Sequence, residues 1–243
     1  MKIDKNITIV VGGTRGIGKV VSELLSQRGD SIYTISRRKI KNENHLSLDL
    51  SNEKKVKLLK KRLKSKKIKN LIFCQRYRGP DTKKEHLVST LATKNIIENL
   101  ENNFSKNSSI VIIASTASRM IFQGQTSEYH SSRAALESLS KYYSIKLGPK
   151  GIRCNSIMPG TIIKPENKDF FTKNNPLRKL ISSITPLGKM ADAIDVANLV
   201  DFLTSEKSNL ISGQSIYVDG GLSNIGQESI ARKIKKLPHP RKN

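Results

Sequence analysis

Short β-branched runs alternate along the chain with longer stretches whose apolar residues recur at helical spacing. Ile7-Thr8-Ile9-Val10-Val11 has no polar alternation and predicts a strand buried on both faces. Residues 16–28 place Ile17, Val20, Val21, Leu24 and Leu25 on one face and predict a helix. Further strands are expected over 31–36, 45–48, 70–74, 109–114, 152–158 and 214–218. Further helices are expected over 53–64, 86–100, 128–147 and 191–203. The stripe Val56, Leu59 and Leu63 is the inner face of the first of these, and Lys and Arg cover the rest. Gly148-Pro149 and Gly151 close the long helix, and Pro159-Gly160 stops the strand that follows it. Strand and helix in alternation imply right-handed crossovers. The expected fold is α/β, a doubly wound seven-stranded parallel sheet with helices on both faces. No internal repeat and no long linker divides it, so residues 1–222 read as one domain. Residues 161–190 are irregular and rich in Lys and Pro. A long excursion after a strand's carboxyl end falls beside the ligand crevice of such a sheet, so they are expected to form a substrate lid. Residues 223–243 form a basic tail, with Arg232, Lys233, Lys235, Lys236, Arg241 and Lys242, expected to be solvated or loosely docked.

The chain has 243 residues, enough to bury the core of one α/β domain. No apolar run is long enough for a membrane span or a signal-peptide core, so no membrane partner is expected. Cys74 and Cys154 sit in apolar segments and read as buried, reduced thiols of a cytoplasmic protein. Cys and His show no metal-ligand spacing, and no metal is expected. The formal net charge is +24. A polyanionic partner would account for it. So would drift of a surface toward Lys, Asn and Ile under A/T-rich codon usage. The dense basic stretch over 54–69 reads as a solvated helix face rather than a nucleic-acid site, because no nucleic-acid-binding motif accompanies it.

The chemistry begins at the first strand-to-helix turn, Val11-Gly12-Gly13-Thr14-Arg15-Gly16-Ile17-Gly18. Gly12 permits a tight turn. Gly16 and Gly18 let backbone approach a pyrophosphate at the helix N-terminus. The three-residue gap between Gly12 and Gly16 resembles the turn of the short-chain dehydrogenase/reductase family, Thr-Gly-x-x-x-Gly-x-Gly, with Val11 in place of the Thr. The resemblance continues through Ser47-Leu48-Asp49-Leu50-Ser51, Ile112-Ile113-Ala114-Ser115, Tyr129-His130-Ser131-Ser132-Arg133, the stretch from Gly151 through Arg153 and Asn155 to Pro159-Gly160, and Ser212-Gly213 to Asp219-Gly220-Gly221. It implies a Rossmann-type fold, a homodimer or homotetramer with the 128–147 helix at one interface, and a nicotinamide cofactor. Gly12, Arg15, Gly16, Ile17, Gly18, Arg37, Arg38 and Asp49 are the expected cofactor-binding residues, Asp49 holding the adenine. The second strand ends Ser36-Arg37-Arg38 with no acid nearby, and Arg15 lies in the turn. Cations there suit the 2′-phosphate of NADP(H), whereas a carboxylate would suit NAD.

The activity implied by the resemblance is hydride transfer between nicotinamide and a carbonyl or alcohol carbon of a small-molecule substrate. Ser115, Tyr129 and Arg133 are the expected catalytic residues. Ser115 would polarise the substrate oxygen and Tyr129 would exchange its proton. A phenol titrates near pH 10 unaided, so a cation one helical turn away must stabilise its anion. The family places Lys at 133. Arg133 keeps the charge but releases no proton, its own pKa exceeding about 12. The family's Asn-Asn-Ala-Gly strand end is here Phe73-Cys74-Gln75-Arg76, the Asn of the following helix aligns with Thr90, and the Thr after Pro-Gly is replaced by Lys164. Two readings stay open. One is an active, divergent reductase whose Arg76, Arg78 and Lys164 suit an anionic substrate. The other is a catalytically impaired relative serving as a dinucleotide-binding or scaffold protein.

Overall fold

The first strand, β1 (Ile7–Val11), is buried at every position, as its uninterrupted apolar pattern requires. The computed structural model describes residues 6–63 and 66–238. It contains α1 (Gly16–Gln27), β2 (Ser31–Ser36), β3 (His45–Ser47), α2 (Glu53–Lys57), α3 (Leu59–Arg62) and β4 (Ile68–Phe73). A continuous helical stretch follows: α4 (Lys84–His86), a π-helical turn over Leu87–Leu91, and α5 (Ala92–Leu100). The chain goes on through β5 (Phe104–Ile113), α6 (Ser127–Leu147), β6 (Ile152–Pro159), α7 (Pro176–Ile184), α8 (Ala193–Leu203), β7 (Ser215–Val218) and α9 (Gln227–Lys235).

All seven strands are parallel, in the order β3-β2-β1-β4-β5-β6-β7. Val11 at the end of β1 pairs with Ile35 on one side and Phe73 on the other. Strand order reverses between β1 and β4, so the loops after these strands diverge and open a crevice at their carboxyl ends. One sheet face is covered by α5 and α6, which contribute Ile96, Ile97, Leu136, Tyr143 and Leu147. The other is covered by α1 and α8, through Val21, Leu25, Val196 and Val200.

Three segments depart from the sequence expectation. The helix expected over 53–64 is two short helices, and residue 64 lies outside the described residues. The fifth strand starts at Phe104, ahead of the expected 109. Phe104 pairs with Ile68, and a bulge at left-handed Asn107 (φ 57°) precedes the regular ladder from Ser109, so the polar turn hides its first residues. The excursion over 161–190 is not irregular throughout, since it contains α7. Asn175 caps Arg178 N–H and Pro176 takes the first helical position, an N-terminal signal that the basic composition obscured. The two ends of this excursion are pinned together, Ile163 bridging Asp192 beside the sheet. The tail from residue 223 includes α9, which packs on α7. Arg241 and Lys242 lie outside the described residues. Cys154 is buried, Cys74 half-buried, and both are free thiols. Among the described residues no helix is long and apolar enough to cross a membrane.

The motif in β6 stitches the sheet edge together. Arg153 is buried and donates to the carbonyls of Leu203 (2.9 Å) and Ser205 (3.2 Å). Asn155 donates to the Ile211 carbonyl (2.8 Å) and accepts from Gln214 N–H (3.0 Å). These bonds fix the loop entering β7. Asn155→Leu removes both bonds to part-buried backbone groups, so it is expected to lower unfolding stability by about 1–3 kcal/mol in urea titration.

Candidate functional site

The turn after β1 runs against the end of β4, and its glycines have different causes. Gly12 has φ +79°, and a Cβ there would lie 2.7 Å from the Gln75 nitrogen. Any side chain at 12 would part β1 from β4. A Cβ on Gly18 would stand 2.3 Å from the Gly12 carbonyl oxygen, so Gly18 lets α1 seat directly on the turn. The N-terminus of α1 has no side-chain cap and no acidic residue in its first turn. Its amide dipoles therefore face the crevice open to an anion. The Glu166 carboxylate, carried by the 161–190 excursion, comes within 2.6 Å of the point where a Gly16 Cβ would stand, and it pairs with Arg78 at 2.9 Å. Asn167 shapes the turn that delivers it, accepting from Lys164 N–H (2.6 Å) and donating to the Ile162 carbonyl (3.3 Å).

A cavity of about 420 Å³ extends from this turn across the ends of β1, β2 and β4. Gly12, Arg15, Arg37, Arg38 and Asp49 all line it. The three arginines are exposed and bring positive charge to its rim. Asp49 accepts from the Ser51 N–H (3.0 Å) and hydroxyl (2.8 Å). Partial burial raises its pKa, but these two bonds and the nearby Arg37 outweigh it and hold the carboxyl below its usual range. Gln75 fills the floor, donating to Thr93 Oγ1 at 2.8 Å. Its buried Oε1 has no partner among the described residues.

A second cavity of about 100 Å³ adjoins the first and brings together Arg15, Gly16, Ile17, Ser115, Tyr129 and Arg133. All the sequence-expected site residues thus line one of the two cavities except Gly18, whose part is to pack α1 against the turn. Ser115 follows β5, and its Oγ accepts from Ala117 N–H at 3.1 Å. That bond uses an oxygen lone pair and leaves the O–H free to donate into the cavity. Tyr129 sits in the first turn of α6, where Thr126 Oγ1 caps its N–H at 3.2 Å and the helix dipole favours negative charge.

Arg133 lies one turn further along α6, its guanidinium carbon 5.0 Å from the centre of the Tyr129 ring. Only 3% of it is exposed. Its Nη2 donates to Glu85 Oε1 at 2.5 Å and to Ser89 Oγ, and its Nε to Ser132 Oγ at 3.3 Å. Burial holds its pKa below the usual guanidinium range, while Tyr129 and Glu85 pull the other way. It remains charged at neutral pH. Glu85 and Ser89, four residues apart and hydrogen-bonded to each other, both reach the same guanidinium. Lys164 also lines this cavity, its pKa held down by burial and by Arg78, with Glu166 opposing.

Sequence reasoning missed four groups that hold the site. Glu85 pairs with Arg133, and Glu166 with Arg78. His130 and Glu137 tie the Ser115 turn to α6. His130 Nδ1 lies 2.9 Å from the Ala117 carbonyl, and its Nε2 accepts from Phe122 N–H at 3.2 Å. Glu137 receives Arg119 (2.5 Å) and Lys141 (2.9 Å), and the Arg119 bond, ahead of Lys141, holds its pKa down to about 2. Each acts through a partner that only the folded chain brings against it. The stability that Glu137 contributes is full above its unfolded pKa, near 4.3, and is lost as pH falls toward about 2. Glu137→Gln is therefore expected to lower the melting temperature at pH 7 by a few degrees, with the gap to wild type closing as pH falls below about 4. Thermal melts across pH 2–7 measure this.

The comparisons agree with this geometry. A family model described as enoyl-(acyl carrier protein) reductase matches residues 76–223. An uncharacterized oxidoreductase of Schizosaccharomyces pombe is 27% identical over 240 residues, covering 91% of this chain and 92% of that one. A 3-oxoacyl-(acyl-carrier-protein) reductase, FabG, of Buchnera aphidicola is 29% identical over 91% of this chain and 99% of its own. The crystal structure of a short-chain dehydrogenase family protein of Francisella tularensis superposes with TM-score 0.79 at 24% identity, covering 91% of this chain and all of that one. A 4-hydroxyisoleucine dehydrogenase complexed with NADH gives TM-score 0.80 at 23% identity, with the same coverage. With the glycine turn, the switch-point crevice and the Ser115–Tyr129 cavity in this arrangement, the chain belongs to the short-chain dehydrogenase/reductase family.

Proposed function

We propose that the protein is an NADP(H)-dependent oxidoreductase that interconverts a carbonyl and an alcohol on a small, anionic substrate. The observation that supports this best is the shared cavity of Ser115, Tyr129, Arg133 and the glycine turn. The dinucleotide fits the residues present. The turn already seats a carboxylate, the first cavity has room for a nucleotide, and Arg15, Arg37 and Arg38 stand at its rim. In this reading Gly12, Arg15, Gly16, Ile17 and Gly18 receive the pyrophosphate region, Arg37 and Arg38 the 2′-phosphate, and Asp49 borders the adenine. Bound nicotinamide supplies or accepts the hydride. Ser115 donates its O–H to the substrate oxygen and fixes it beside Tyr129. The Tyr129 hydroxyl gives that oxygen a proton during reduction, or takes it during oxidation. Arg133 packs its guanidinium against the ring. Arg76, Arg78 and Lys164 attract the substrate's anionic group, and residues 161–190 close over it as a lid.

Tyr142 and Ile145 on α6 are exposed and suit contact with a second copy of the chain. The free thiols agree with a reducing, cytoplasmic setting. One observation favours a second reading, a dinucleotide-binding or scaffold protein without turnover: the charge of Arg133 is already neutralised by Glu85.

Fluorescence titration is expected to show NADPH binding at least about tenfold tighter than NADH, since a charge-assisted bond contributes about 1.5–3 kcal/mol. Arg37→Ala with Arg38→Ala should erase that preference, and equal affinity in the wild type would refute the NADP(H) assignment. Tyr129→Phe should abolish turnover of carbonyl substrates while leaving NADPH affinity within about twofold. Binding without turnover in wild type, with activity appearing in Arg133→Lys, would favour the second reading. Glu166→Gln removes the negative charge from the pyrophosphate seat. It is expected to tighten NADPH severalfold, an effect measured by the same titration.

A further inference from the structure

We infer that Arg76 is the cation that poises Tyr129, while Arg133 chiefly holds the ring in place. The inference deepens the reading above and rests on the proton-transfer role given there to Tyr129. Two guanidinium groups lie over the Tyr129 ring, Arg76 at 4.5 Å from its centre and Arg133 at 5.0 Å. Distance barely separates them, so their own partners decide which field the phenol feels.

Arg133 is committed elsewhere. It pairs with Glu85, a carboxylate that is itself buried, and Ser89 and Ser132 occupy further donors. From the phenol this is a near-neutral pair, whose field falls off faster than that of a lone charge. Arg76 has a neutral partner, donating from Nη2 to Gln125 Oε1 at 2.8 Å. Among the described residues it takes part in no ion pair with a carboxylate, whereas its neighbour Arg78 pairs with Glu166. Arg76 is exposed in this structure, so water screens its charge. A dinucleotide lying across the crevice would displace that water and strengthen its effect on the phenol.

The other charged or titratable groups facing Tyr129 do not take this place. Arg15, Arg78 and Lys164 line the same cavity but are not stacked on the ring. Glu85 stands behind Arg133, and Glu166 against Arg78. The His130 ring meets Tyr129 edge-on at 6.0 Å, and its nitrogens face the Ala117 and Phe122 backbone. Two departures from the family pattern thus belong together. The arginine at 133 is neutralised by Glu85, and the arginine at 76, where the family has a small residue, supplies an unneutralised charge to the same phenol.

The test needs neither cofactor nor substrate. Phenolate absorbance is followed against pH in wild type, with Tyr129→Phe subtracted to isolate the one ring. Arg76→Gln is expected to raise the midpoint by about one pH unit, and Arg76→Lys to restore most of it. The paired variant Glu85→Leu with Arg133→Met removes both members, so no charge is stranded, and it should move the midpoint by less than half as much. An unchanged midpoint in Arg76→Gln overturns the inference, and so does a larger shift in the paired variant. Arg76 is exposed, so its variants are expected to fold, and they decide the matter alone. Because the readout is the protein's own ring, a missing dehydrogenase activity would refute the proposed function and leave this result standing. Where turnover is found, the corresponding limb of the kcat/KM pH profile should move with the absorbance midpoint.

Discussion

A guanidinium buried at the head of α6 sets the terms for everything around it. Arg133 is 3% exposed, and removing a charge from water without a partner costs several kcal/mol. Glu85 meets that requirement, and Ser89 and Ser132 complete the donor set. Glu85 lies in α4 and Ser89 in the π-helical turn that follows, and both reach this one guanidinium. Breaking one side of such a pair typically costs about 3–5 kcal/mol, so the pair also fixes α4 against α6. The Tyr129 ring rests on this assembly, which explains how an arginine can stand at 133 without forcing the ring aside.

The crevice is built around positive charge. Arg15, Arg37, Arg38, Arg76, Arg78 and Lys164 all border it, together with the N-terminal dipole of α1. Glu166 partly relieves that excess, lying on the glycine turn and pairing with Arg78. The same contact ties the 161–190 excursion to the crevice.

Ser115 and Tyr129 come from different elements and must be held in register. The Arg119–Glu137 pair and the His130 contacts to Ala117 and Phe122 do this from both sides. The Arg119–Glu137–Lys141 cluster is reached by solvent, its two cations being half exposed, so each of its ion pairs contributes little alone. Their value is positional, because they fix the turn after β5 against the first turns of α6.

The fold was legible because its signals are local and repeated. Ile7–Val11, the glycine turn, the Asn155 motif and the alternation of strand with helix each follow from side-chain period or backbone freedom, and they agree with one another. The residues of the site were also legible, since Ser115, Tyr129 and Arg133 follow from the resemblance and do converge on one cavity. Helix α7 was missed because its cap and proline lay within a basic stretch that read as irregular. What the sequence determined by itself was therefore the framework and which residues meet in the cavity. Only the tertiary structure decided their electrical state. It placed Glu85 behind Arg133, Arg76 over Tyr129 and Glu166 on Gly16, and each of these pairings spans tens of residues. A charge acts through distance and burial, and neither is written in the order of residues along the chain.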